Sequence, residues 1–236
     1  MVWDSGGTTV KHSVCPGGGI CPKAYHEKGI EHWGGFWDAV DDYSRKENCF
    51  VLELGGNGRS GSEKAVLKRV VRVPALSVRS VQIRAEEGFR ADIDLEIVLE
   101  RGSHFGLCVR AVLANNSDLS INVVSLQDGP GSHFLDLGRI GCRDGSVFEC
   151  NTHGALGSGA DGSSCLYDTQ VLQLGNGGMV KGKPEMDIGA KNVQADHGFS
   201  VGVVPGEVRV YMESRGLDRA ACEEVYLSGF LKSGIV

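Results

Sequence analysis

Long apolar runs are missing from this 236-residue chain. Nowhere do about 18 consecutive apolar residues occur, so no segment has the pattern of a membrane-spanning helix. The opening residues, MVWDSGGTTVKHS, hold no apolar core of signal-peptide length, and the expectation is a soluble, cytoplasmic protein without a membrane partner. Positive charge is not in excess either. Lys and Arg number 24 against 30 Asp and Glu, for a net charge of −6 and a pI near 5.6. A general nucleic-acid binder needs clustered cations, so nucleic acid is not an expected partner. No GxxxxGK[ST] occurs, which excludes ATP hydrolysis through a Walker loop in this chain. No G-x-S-x-G elbow accompanies the histidines, so a Ser-His-Asp catalytic group is not expected. Prolines are few, six in all.

Glycine and cysteine are plentiful instead. The 35 glycines are about twice the usual share of roughly 7%, which points to many tight turns. With no export signal, the eight cysteines read as buried thiols or as thiols for metal or sulfur chemistry rather than as a disulfide framework. The chain is long enough to bury one substantial β core, and a single domain is expected. Three textures divide it: residues 1–64 are rich in Gly, Trp, His and Cys with weak periodicity and no assignable fold; a β core spans 65–211; a helical tail covers 212–236.

The middle region is the most regular. In ADIDLEIVLE, Ala91, Ile93, Leu95, Ile97 and Leu99 share one face, and Asp92, Asp94, Glu96 and Glu100 lie largely on the other. After the turn RGSH the pattern resumes at Phe105, Leu107, Val109, Ala111 and Leu113, and after NNSD at Leu119, Ile121 and Val123. Strands recurring every dozen or so residues, with no helices between them, suit a sandwich, a barrel or a coiled β-solenoid. In the tail, Asp218 is a good N-cap after Gly216, Leu217, Ala221 and Val225 recur at four-residue spacing, and Gly229 is a stop signal. Such an amphipathic helix must dock on the β core or on a partner.

Several motifs compete for chemistry. Gly56, Gly58 and Gly61 in GGNGRSG match GxGxxG between FVLEL and EKAVLKRVV, a segment able to start a helix, but the alternating strands and helices of a dinucleotide fold do not follow. A flexible loop is the simpler reading. Cys15, Cys21, His26 and His32 gather four metal-ligand types in a glycine-rich stretch whose spacing fits no standard zinc finger. Turn residues with ordinary half-buried Cys and His are the simpler reading. His104 and His133 in similar SHF contexts, and His153, read as hydrogen-bonded structural residues. Cys142, Cys150 and Cys165 lie in the β series, and buried inert thiols are the default. A carbohydrate-active β-solenoid would need paired carboxylates in a cleft, whereas the acids of ADIDLEIVLE are read as a solvated face.

Four elements in order resemble the C-terminal half of the SufB/SufD family, the scaffold proteins of SUF iron–sulfur cluster assembly: YDTQVLQLG, KPEMDI, NVQADHGFSVG and YMESRGLDRAACEEVYLSGFL. The resemblance implies a right-handed parallel β-helix with a short C-terminal helical segment. It also implies a homodimer or a heterodimer with another SufB/SufD-like chain, and a non-enzymatic role. A SufC-like ABC ATPase would dock through Arg215, Gly216, Leu217, Ala221, Val225 and Phe230, and this chain itself would bind no nucleotide. A transient iron–sulfur cluster is the implied cargo. His197 matches the histidine of the family's H-G motif near the dimer interface, with Asp196 where relatives often carry Ser. In SufB-type relatives a functional cysteine lies in the preceding strand; the gap-free register places that position at Thr169, with Cys165 four residues away on the same strand face. In this respect the chain is more similar to SufD, or to a divergent stand-alone member of the family, than to SufB.

Overall fold

The computed structural model describes residues 3–5, 8–15, 48–56, 64–76, 78–85, 89–114 and 116–233. Thirteen strands are followed by two helices among them: β1 (Trp3–Ser5), β2 (Thr8–Cys15), β3 (Asn48–Gly56), β4 (Ala65–Val73), β5 (Val78–Ala85), β6 (Arg90–Leu99), β7 (His104–Leu113), β8 (Asp118–Gln127), β9 (His133–Cys142), β10 (Val147–Leu156), β11 (Ser164–Gln173), β12 (Met179–Ile188), β13 (Gln194–Val203), α1 (Gly206–Ser214) and α2 (Arg219–Lys232). From β4 onward the even-numbered strands form one sheet in the order β12-β10-β8-β6-β4, and the odd-numbered strands, together with β2, form the other in the order β1-β2-β3-β5-β7-β9-β11-β13. From β3 onward every pairing is parallel. A chain that alternates between two parallel sheets is a β-solenoid, and β6 to β13 make four turns of two strands each. His104 pairs with His133, His133 with Ser164, and Ser164 with Gln194, so each turn advances the chain by about 30 residues.

The periodicity of the sequence explains the two-sided strands. β6 alternates half-buried and buried residues along its length, and β8 and β10 repeat the pattern. Inward residues from both sheets, among them Ile93, Leu95, Phe105, Leu107, Ile121, Phe134 and Phe148, fill one continuous apolar core. Phe105 and Phe134 stack in register with ring centroids 6.1 Å apart. The outer face of β6 is polar. Lys64 bridges Asp92 (3.1 Å) and Asp118 (2.8 Å), and Lys68 meets Asp94 (2.8 Å). Asn122 Nδ2 donates to Asp94 (2.6 Å), and Asn151 Nδ2 donates to Asn122 (2.8 Å), so one column of amides climbs three turns. Asp92 and Asp94 of ADIDLEIVLE are therefore engaged on an outer face.

Two sequence expectations change. The segment after GGNGRSG is strand β4 rather than a helix: Leu67, Val71 and Val73 are buried while Val66 and Val70 are exposed, a two-residue period. A strand there lacks the helix N-terminus that a dinucleotide pyrophosphate needs. The boundary expected near residue 211 falls inside α1. GEVRVYM alternates like a strand, yet Pro205 caps the helix with φ −56° and ψ 136°, and Glu207 sits in its positive first turn. The single helix expected over the tail is thus a pair. The region of unassigned fold contributes β1, β2 and β3, the first two pairings antiparallel and β3 parallel to β5.

Helix α2 starts as the sequence predicts, with Asp218 accepting a hydrogen bond from the Ala221 amide at 2.8 Å. It runs past Gly229 to Lys232. Its buried residues are Cys222 and Leu227. Leu227 joins Leu172, Leu174 and Val204 in a second small core, with Tyr226, Phe230 and Leu231 packed against it. The helix thereby lies on the outer face of the odd sheet. Arg110 Nη2 donates to the Ser233 carbonyl (3.2 Å) and Arg139 Nε to Ser233 Oγ (3.2 Å), placing two cations where the helix macrodipole is negative. Arg143 pairs with Glu224 further along.

Candidate functional site

Strands β12 and β13 end their sheets, each with a neighbour on one side only. The last turn is consequently open. Strand periodicity puts Leu107, Asp136, Tyr167 and His197 in one inward-facing column, in register across β7, β9, β11 and β13. Tyr167 is buried and His197, one strand further out, is exposed. Inward residues of the last turn are only partly covered: Val180, Met186 and Phe199 pack against the core, while Ile188, Val201 and Val203 stand in solvent. Gly182 is required there. A Cβ on it would lie 2.4 Å from the Phe199 ring, which folds over the end of the core. Pro184 is accommodated in β12 because an edge strand leaves one side of its backbone unpaired.

Below this open end lies a buried polar layer. The Tyr167 hydroxyl is 2.8 Å from Ser125 Oγ and 3.0 Å from the His153 carbonyl, and Ser125 Oγ is 3.4 Å from Cys165 Sγ. Room for this ring comes from Gly154, where a Cβ would meet Cys165 Sγ at 3.0 Å and the Tyr167 ring at 3.1 Å. Burial pushes the Cys165 thiol up to about 11 and the Cys150 thiol up to about 12, so both are protonated and weakly nucleophilic in this state. Asp136 is also enclosed, and its Oδ1 has no hydrogen-bond partner among the described residues. Burial, reinforced by the Asp168 carboxylate and opposed by Arg110, raises its carboxyl to about 7.

The residues expected from the sequence are placed as follows. His197 is exposed at the open end, and its neighbour Asp196 points to the opposite sheet face, as adjacent strand residues must. Cys165 and Thr169 both face inward on β11, with Cys165 buried opposite Ala195. His197, Asp196 and Cys165 of one chain therefore do not converge on a single ion. Among the described residues, no group of three or more His, Cys, Asp or Glu side chains is arranged to hold a metal. Cys15 ends β2, and Cys21, His26 and His32 lie outside the described residues. In the tail, Arg215 stacks over Tyr211 with its guanidinium carbon 5.4 Å from the ring centroid, Gly216 takes φ +92°, and Val225 is exposed. Phe230 instead packs on the second core.

Sequence reasoning missed Asp136, whose position in FLDLGR reads as an outward acid until the strand register is known. Tyr167 is informative for stability. Replacing it with Phe keeps the ring packing against Phe134 (5.0 Å between centroids) but leaves the His153 carbonyl without this donor. The expected cost is about 1–2 kcal/mol, against about 3–5 for Tyr167→Ala, read from urea midpoints. An unchanged Tyr167→Phe midpoint would show that the hydroxyl is not held as described.

Residues 77–230 match the family model for the SUF system FeS cluster assembly SufBD core domain. The chain belongs to the SufBD core family. The matched span runs from β5 to the last turns of α2, so it includes both the open end and the helix pair. No curated protein matches the chain. Membership in the SufBD core family supports involvement in SUF iron–sulfur cluster assembly, where family members serve as assembly components. No helix among the described residues is long and apolar enough to cross a membrane.

Proposed function

We infer that this SufBD-core protein is a cytoplasmic, non-enzymatic scaffold that pairs with a second SufB/SufD-like chain through β12 and β13 and receives a SufC-like ABC ATPase on its helix pair. The observation that carries this reading is the open end, where two unpaired strand edges, several exposed apolar side chains and an exposed histidine coincide. Exposed parallel edges are templates for pairing with another chain. The separation of His197 from Cys165 and Asp196 favours the same conclusion, because one chain offers too few convergent ligands for an iron–sulfur cluster and a second chain would bring its own. The cluster is the cargo, and imidazole is a suitable iron ligand. Val210 and Tyr211 on α1 and Val225 on α2 are exposed apolar side chains of the helix pair and are the proposed contact for the ATPase, which supplies the nucleotide chemistry absent here.

The test is an anaerobic pull-down from native lysate with the intact chain and with a Val210→Asp, Tyr211→Asp, Val225→Asp variant. Recovery of an ABC-type ATPase by the intact chain, lost at least tenfold in the variant, is the expected result. Failure of the folded intact chain to recover such an ATPase would overturn the docking reading.

A further inference from the structure

The outer face of the odd sheet carries a second imidazole feature, on the opposite sheet face from the inward-facing His197 and argued independently of the proposed scaffold role. His104 and His133 begin β7 and β9 and pair in register, with ring centroids 4.6 Å apart and planes inclined by 32°. The His133 ring is oriented by a hydrogen bond between Nδ1 and Ser164 Oγ at 2.7 Å, which leaves Nε2 as its free nitrogen. His104 is exposed and His133 half-buried.

We propose that His104 and His133 form a two-imidazole site for a divalent first-row transition metal ion, completed by solvent. The spacing fits the chemistry. A metal about 2.0–2.1 Å from each ligating nitrogen lies roughly 3.2 Å from each ring centroid, and two cis ligands then hold their centroids about 4.5–5 Å apart. The ring centroids already stand within that range, and binding requires the two rings to turn so that their Nε2 atoms face one ion. Ser164 supplies the outer hydrogen bond that metal-bound histidines ordinarily have on the other ring nitrogen. Nitrogen donors with solvent favour Cu(II) over Ni(II) and Zn(II). Because both histidines project from a rigid sheet, the site needs no folding step to form.

Cu(II) alone is the probe, added to the full chain in a buffer that does not chelate it, and read by low-temperature electron paramagnetic resonance and by competition with a chromogenic chelator. The expected result is a nitrogen-coordinated copper equivalent that His104→Gln weakens at least tenfold and His104→Gln/His133→Gln abolishes. Ser164→Ala is expected to weaken it by a smaller factor, since it disturbs ring orientation and not a ligand. His104 is exposed, so His104→Gln retains the fold, and an unchanged thermal midpoint of the metal-free variant verifies this. Copper affinity and stoichiometry that stay at the wild-type values in His104→Gln and in the double variant would overturn the site. A defect in ATPase recovery would not bear on it.

Discussion

Asp136→Asn is expected to stabilise the protein by an amount that grows from about pH 4 to pH 7 and is fully present at alkaline pH. The side chain is fully enclosed in the solenoid, and its carboxyl titrates near 7 in the fold because burial and the Asp168 carboxylate outweigh Arg110. In the unfolded chain the same group titrates near 3.9, so between about pH 4 and 7 the folded state binds more protons than the unfolded state. Stability contributed by the protonated group is therefore present below the unfolded value and is lost as pH rises through the folded one. Three units of difference correspond to roughly 4 kcal/mol, reduced in practice by relaxation around the charge, so a gain of about 2–4 kcal/mol at pH 8 is expected for the amide. Urea midpoints measured from pH 5 to pH 8 should fall for the wild type and flatten for the variant. Parallel profiles would mean that the Asp136 carboxyl is already ionised in the folded state across this range. Asp168→Asn, which removes the nearby negative charge, should shift the wild-type fall towards lower pH without abolishing it. Unlike Asp136, Asp168 faces outward and pairs with Arg139 at 2.6 Å, so its loss also frees a buried guanidinium and costs stability of its own.

The contrast between these two aspartates shows how far the sequence alone reaches. Alternation in ADIDLEIVLE and its successors made the strands legible, because a period of two is a local property. The choice of solenoid over sandwich was not local. It depends on which strand pairs with which, and only the family resemblance supplied that before β6, β8, β10 and β12 were seen to stack in parallel. Asp136 escaped notice for a related reason: a one-residue shift in register moves a side chain from solvent to core, and FLDLGR does not declare its register. Helix α1 was hidden because Val208 and Val210 alternate with Glu207 and Arg209, mimicking a strand, while the signal that decided it was Pro205. At the site, His197 was found from its motif and its exposure follows from being in the last turn. That Asp196 faces away from it was already implicit in their adjacency.

Introducing lysines at Ile188 and Val203 is expected to leave the fold intact and to abolish pairing of the open ends. Both side chains are largely in solvent in the isolated chain, 52% and 66% exposed, so neither substitution buries a charge within the protomer. In a pair joined through β12 and β13 the same positions would be desolvated, and an unpaired buried ammonium is costly in such a setting. Lysine on an edge strand is also a device by which natural sheets resist edge-to-edge association. A loss of about 1.4 kcal/mol per lysine, with four lysines in a pair of identical chains, weakens the dissociation constant on the order of 10,000-fold. Sedimentation across a dilution series should show the wild type paired and Ile188→Lys/Val203→Lys monomeric, with matching circular dichroism spectra. A double-lysine variant that pairs as tightly would remove the open end as the interface, and a wild type that stays monomeric throughout would exclude pairing between identical chains. Iron–sulfur reconstitution then separates assembly from ligation: His197→Ala should pair normally but lose bound cluster, whereas the lysine variant should lose both, because its His197 remains in place with no second chain to complete the ligand set.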